Sequence, residues 1–385
     1  MSSPLLKIGI ICYPSVGGSG ILATELGHQL AKRGHEIHFI SYEIPFRLNT
    51  ELENIFFHKV HINEYELFRY PDYTLPLAVK IAEISSSYNL DILHTHYAVP
   101  HAIAAELAKH MTYNNAPKVI ATLHGTDITL MGQDKSYQPI IQYAIQNACG
   151  VTTVSEHLKQ QTINTFDIQK DIHVIHNFYS PKHPSISKEK MKQKLGIKED
   201  EYVVLHMSNL RPVKRISDIL EIIAYSQYTD KLKLLILSGG NFNPYMSEVK
   251  TLNIEKNIIL QENVGDIENY IQIADTGIYP SGEESFGLSI LETMFHGVPV
   301  IASRAGGIPE VVDDTITGLL HPVGAIEEFS RSLDYLIEHD EERRTMGEKA
   351  KKSAEKLFST DIIVEQYIAF YYMVIKTCPS HNSNI

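Results

Sequence analysis

From Leu5 to Tyr13 the chain is apolar at almost every position, and the run ends in the loop Pro14-Ser15-Val16-Gly17-Gly18. A short continuous run of this kind reads as a strand buried on both faces, as in a parallel sheet. Ile21 to Lys32 then places apolar residues at helical spacing and stops before Gly34, a C-terminal glycine cap. Glu36 to Ser41 reads as a second strand. Strand, glycine-rich turn, helix, strand is a βαβ unit of Rossmann type. The alternation continues with strands predicted over 55–60, 92–96, 119–123, 151–154 and 173–175, and helices over 75–86 and 102–110. A polar stretch with Lys and Pro, Tyr179 to Lys194, predicts a linker. The pattern then restarts, with strands over 202–207, 233–238, 258–260, 276–279 and 299–302. The last helix, 360–376, is long enough to return to the first half. The expectation is an α/β chain of two Rossmann-like domains facing across a deep cleft: residues 1–178 with 360–385, and residues 179–359. Doubly wound sheets bind ligands at the carboxyl ends of their strands, so the loops there are where chemistry belongs.

Composition narrows the function. A length of 385 residues exceeds the roughly 250–300 at which one core stops growing, in keeping with two domains. Lys+Arg total 34 against 46 Asp+Glu, a formal net charge of −12. That balance argues against nucleic-acid and anionic-membrane partners, and a local basic cluster stands out against it. The three cysteines, Cys12, Cys149 and Cys378, are odd in number and far apart. They predict no zinc pair and no disulfide framework, and a reduced, cytoplasmic setting. Cys12, inside an apolar strand, reads as a small buried hydrophobe. No run of about 18 apolar residues predicts a spanning helix, and the N-terminus lacks the cationic start and apolar core of a signal peptide. The segment with Phe68, Tyr70 and Pro71 to Pro76 is aromatic but lacks the basic neighbours of a membrane-surface helix. The sequence leaves a homo-oligomer open.

Five loops carry candidate chemistry. Glu283-Glu284-Ser285-Phe286-Gly287-Leu288 follows the strand 276–279 and opens a helix containing Glu292. N–H groups at a helix start suit an anion such as a diphosphate, and carboxylates suit sugar hydroxyls. An isolated pair of Glu would more simply be a solvated turn; the strand-to-helix glycine context favours the site. Ser208-Asn209-Leu210-Arg211-Pro212-Val213-Lys214-Arg215 puts three cations at a strand end, where a leaving diphosphate needs neutralising, with Arg215 the candidate for a structural role. Gly17-Gly18-Ser19-Gly20 opens the first helix, yet it lacks the acidic residue that closes the second strand in dinucleotide sites. His124-Gly125-Thr126-Asp127 neighbours His94, His96 and Tyr97. There a metal site competes with a polar contact to a sugar by His124 and a helix cap or orienter in Asp127, and the missing carboxylates at ligand spacing disfavour the metal. Gly306-Gly307-Ile308-Pro309-Glu310 reads as a turn that shapes a wall.

Together these loops resemble glycosyltransferase family 4, of the GT-B fold, over nearly the whole chain. Glu284 to Glu292, with seven residues between the carboxylates, matches that family's two-glutamate motif. The resemblance implies a retaining transfer from a nucleotide sugar without metal or cofactor. It implies Glu292 on the ribose, Glu284 on the sugar hydroxyls, and Ser285, Phe286, Gly287 and Leu288 along the diphosphate and sugar. Lys214 falls at the diphosphate lysine, and Gly18 and Arg211 join the donor site. His124, Lys214 and Glu284 form the implied catalytic set. Many members carry Arg five residues before that lysine, where this chain has Asn209. Asn209 in this context, with Cys12-Tyr13-Pro14, Leu93 to Ala98 and Thr122 to Ile128, is similar to family members of bacillithiol biosynthesis. That implies UDP-N-acetylglucosamine as donor and L-malate, a small dicarboxylate, as acceptor, with Ser19, Tyr97, Thr122 and Asn209 around malate. The segment Gly239 to Asn243 departs from the family's pattern. A transferase for a lipid or cell-wall acceptor, a two-lobed sugar-binding module and an NAD enzyme are the competing readings.

Overall fold

A computed structural model describes residues 4–14, 17–62, 72–112 and 116–379. Phe68, Tyr70 and Pro71 of the aromatic segment lie outside the described residues. The chain forms two compact units, Met1–Asn177 with Thr360–Ile385, and Phe178–Ser359.

The first unit holds a parallel sheet of β1 (Lys7–Ile11), β2 (Glu36–Ser41), β3 (Ile55–Lys59), β4 (Ile92–His96), β5 (Lys118–Leu123), β6 (Gly150–Thr153) and β7 (His173–Val174). Its order is β3-β2-β1-β4-β5-β6-β7. The second holds β8 (Tyr202–Ser208), β9 (Leu232–Ser238), β10 (Ile258–Glu262), β11 (Thr276–Tyr279), β12 (Val300–Ser303) and β13 (Gly318–His321), in the order β10-β9-β8-β11-β12-β13. All pairings are parallel, as the unbroken apolar runs predict, because helices cover both faces. Strand β4 is buried at every position, and so is β11. In each sheet the winding reverses once, between β1 and β4 and between β8 and β11. Two adjacent loops part at that reversal and leave a crevice at the carboxyl ends of the strands.

Four sequence expectations are corrected. Tyr179 to Lys194 is not a linker. Tyr179 is buried and donates to Glu268 at 2.9 Å, Asn269 accepts the Ser185 and Ile186 amides, and Ser187 caps a helix, Lys188–Lys194, that buries Met191. Strand β13, too short and glycine-led to announce itself, closes the second sheet. The first helix starts at Gly18 rather than Ile21, because small residues fill its first turn. Cys149 and Cys378 are joined in a disulfide, although 229 positions apart, because helix Thr360–Thr377 runs back along the first unit. Cys12 is buried and free, as expected, and burial pushes its thiol up to about 12.

The core of the second unit gathers Ile219, Leu220, Ile223, Leu234, Ile278 and Leu333, all at or near full burial. Leu333→Ala removes side-chain volume there and should lower the unit's stability by about 2–5 kcal/mol. Urea unfolding should show an earlier transition for this variant, and little change for Leu357→Ala, whose side chain is exposed.

Candidate active site

In the second unit the reversal lies between β8 and β11, and the loops that follow these strands meet. Lys214, after β8, sets its ammonium 2.5 Å from the Glu284 carboxylate, after β11. Both side chains are about five-sixths buried, at 16% exposure each, so the charges are partly shielded from water. Glu284 also accepts the Ser281 hydroxyl at 3.0 Å. The β8 loop is held by His206, whose Nδ1 donates to the Ile278 carbonyl at 2.8 Å while Nε2 meets Ser208 Oγ at 2.8 Å. Ser208 Oγ in turn accepts the Leu210 amide. Burial pulls the His206 imidazole down to about 4, so it stays neutral at ordinary pH. Arg215 pairs with Asp218 at 2.6 Å, while Arg211 and Asn209 are exposed.

The β11 loop is fixed from behind by glycines. The Gly307 amide donates to the Glu284 carbonyl at 2.8 Å. A Cβ built on Gly306 would stand 2.0 Å from that same oxygen, and one on Gly307 would stand 2.4 Å from the Ser285 carbonyl. Only glycine permits this approach, and Gly306 also takes a φ of +58°. Gly287 caps helix Leu288–Phe295 without a side-chain bond, so the first-turn amides are open to an anion. Glu292 is buried on that helix.

In the first unit the reversal lies between β1 and β4. Ser19, in the first turn of helix Gly18–Lys32, and Tyr97, just after β4, share a hydrogen bond of 2.7 Å between hydroxyls. Tyr97 has a φ of +92°, a conformation that costs a non-glycine residue of order 1–3 kcal/mol. Its amide is tied to the Thr122 carbonyl at 2.9 Å. His124, after β5, lies 5.4 Å from Tyr97 between ring centroids and hydrogen-bonds His96 at 2.8 Å. Asp127 is fully buried and accepts the Ala98 and Gly125 amides, each at 3.1 Å. It stitches the β4 loop to the β5 loop rather than capping a helix, since Gly125 precedes its turn.

Residues 16–183 match the model described as Glycosyltransferase Family 4, and residues 187–353 the model of Glycosyl transferases group 1. N-acetyl-alpha-D-glucosaminyl L-malate synthase of Bacillus anthracis is 43% identical to this chain, over 96% of the chain and 98% of its own length. The chain belongs to glycosyltransferase family 4. Two solved structures share the fold over nearly their whole length. A glycosyltransferase from Rickettsia africae has a TM-score of 0.81 at 23% identity, covering 97% of this chain and 100% of its own. Anabaena Alr3699/HepE, in complex with UDP-glucose, has a TM-score of 0.80 at 20% identity, covering 96% and 100%. The two parallel sheets with their helices are thus the GT-B fold.

Against this family 4 fold, two of the expected contacts move. The Thr122 side chain points away from the loops. It is fully buried, bonded to His94 at 2.6 Å and Thr152 at 2.7 Å, because the pleat of β5 turns it under helix Thr360–Thr377. The Phe286 ring is also buried, edge-on to Phe358 at 5.5 Å, so this residue offers its backbone to the loop and its side chain to the core. Three supports escaped sequence reasoning: His206, Tyr371, which hydrogen-bonds His94 at 2.8 Å, and Ser281. The signal for Tyr371 was the returning last helix; a lone His in an apolar strand carries none. Among the described residues, no group of three or more His, Cys, Asp or Glu could hold a metal ion, and no helix is long and apolar enough to cross a membrane.

The first unit's histidines set a pH dependence. Burial, aided by the neighbouring His124, pulls His94 down to about 3. Burial and His101 pull His124 to about 3, burial pulls His101 to about 4, and His96 falls well below its ordinary value. A group whose folded pKa is depressed leaves the unfolded chain holding more protons below about 6.5, so stability falls as pH falls. Asp127, raised to about 6 by burial, acts the other way between about 4 and 6. One group opposes four, each worth up to about 1.4 kcal/mol per pH unit, so the histidines win. The melting temperature of the first unit should drop steadily from about pH 6.5 to pH 5, and His94→Gln should flatten the slope.

Proposed function

We propose that this protein transfers N-acetylglucosamine from UDP-N-acetylglucosamine to the hydroxyl of L-malate, with retention at the anomeric carbon and without a divalent metal. The observation that carries this reading is the 43% identity, over nearly both full lengths, to a relative named for that product. The paired loops at each winding reversal support it. The second unit is the donor side and the first the acceptor side.

On the donor side, the start of helix Leu288–Phe295, which Gly287 leaves without a side-chain cap, takes the diphosphate, Glu292 takes the ribose and Glu284 a sugar hydroxyl. Arg211 completes the donor contacts of this unit. Lys214 enters the reaction paired with Glu284; an incoming diphosphate offers the ammonium a stronger partner and frees the carboxylate for the sugar. On the acceptor side, Ser19 and Tyr97 meet malate. Its two carboxylates suit the uncapped start of helix Gly18–Lys32, where Gly17 supplies no side-chain cap. The malate oxygen bonds to the anomeric carbon as the bond to the β-phosphate oxygen breaks. The malate proton passes to that departing phosphate, and UDP leaves. His124, held neutral, is a polar contact to the sugar and not an acid. Lys214 and the helix start stabilise charge growing on the leaving group, the largest kind of catalytic contribution in such transfers.

Purified protein with UDP-N-acetylglucosamine in EDTA should release UDP rapidly when L-malate is added and slowly without it. Lys214→Ala should lower turnover by about 10²–10³-fold. Near-normal turnover in Lys214→Ala would contradict the leaving-group role. Slow release indifferent to malate would move the acceptor to a lipid or cell-wall sugar, and no release from any nucleotide sugar would leave a binding module.

A further inference from the structure

At the other end of the first sheet, where β5 and β6 begin, lies a cavity of about 260 Å³. Strand β5 separates it from His124 by roughly 20 Å, at 3.3 Å per residue. Lys109, Lys118 and Lys170 line it, with Asn147 and the Cys149–Cys378 disulfide. Three ammonium groups on one small cavity stand out in a chain of net charge −12.

Their partners leave the charge unbalanced. Lys109 pairs with the buried Glu106 carboxylate at 2.7 Å. Lys118 donates to the Pro379 carbonyl at 2.9 Å, and Lys170 to the Gln146 carbonyl at 3.2 Å. A carbonyl takes one of an ammonium's three donors and cancels none of its charge. Among the described residues, one carboxylate pairs with these three cations. Burial, with Lys109 adding to it, lowers the basicity of Lys118; burial does the same at Lys170, partly offset by Glu106. Both groups are under-compensated as cations, the condition that an added anion relieves.

We propose that this cavity is a binding site for a small dianion, a phosphate or a dicarboxylate, separate from the transfer site. Lys118 and Lys170 hold the anion, and Lys109 adds charge from its pair with Glu106. The site joins the start of β5, which leads to His124, to the end of the helix that carries Tyr371 beneath His94. Occupancy fastens these two elements together at the back of the acceptor side.

Amine-acylation footprinting by mass spectrometry tests this residue by residue, without relying on activity. The full chain is acylated in rising inorganic phosphate and, separately, in rising succinate. Labelling of Lys118 and Lys170 should fall severalfold with one shared midpoint, while the exposed Lys352 stays constant. Lys170→Gln should raise the midpoint at Lys118 at least tenfold, and Lys170→Arg should restore it. Protection by phosphate alone identifies a phosphoryl ligand, and protection by succinate alone a dicarboxylate. Unchanged labelling of Lys118 and Lys170 in both anions, or an unchanged midpoint in Lys170→Gln, overturns the proposal.

Discussion

The constraint on which this protein depends is the single reversal of winding in each parallel sheet. Parallel strands need crossovers, and where their direction changes, two neighbouring strands send their loops apart. In each crevice a polar side-chain contact joins the two loops. It is Ser19 with Tyr97 in the first unit and Lys214 with Glu284 in the second. The first contact joins two hydroxyls. The second joins opposite charges that are mostly shielded from water, and such a pair is costly to break one-sidedly, about 3–5 kcal/mol when fully buried. That cost falls away if a substrate supplies replacement partners, which is how a stabilising contact can also be a binding element.

Around these contacts the fold spends its least permissive positions. Gly306 and Gly307 lie against the backbone of Glu284 and Ser285, and Gly240 lies as closely against the Asn209 carbonyl. Asp127 is a buried polar group that accepts loop amides, and His206 is one that ties the end of β8 to β11, where both loops begin. Buried polar groups stabilise only when satisfied. Here they hold loops in place rather than a core.

Much of this was legible in the sequence. Continuous apolar strands and glycine-bounded helices gave the α/β class, the strand-to-helix glycine context singled out Glu284, and the cation cluster at a strand end singled out Lys214. Side-chain direction was not legible. Thr122 and Phe286 stand beside site residues in the sequence, but the pleat of β5 and the helix that ends at Phe358 turn both inward. The tie between Cys149 and Cys378 depends on where the last helix returns, which no local pattern encodes. Ser187 and Met191 hid a helix inside a stretch whose composition reads as a linker.

The donor side rests on the claim that Gly306 and Gly307 hold the Glu284–Leu288 loop in its anion-binding shape. Calorimetric titration of UDP into Gly307→Ala tests it most directly, because the added methyl meets the Ser285 carbonyl and little else of the core. The account predicts a folded protein whose UDP affinity is weakened at least tenfold, about 1.4 kcal/mol. A folded variant that binds UDP as tightly as the parent would contradict it.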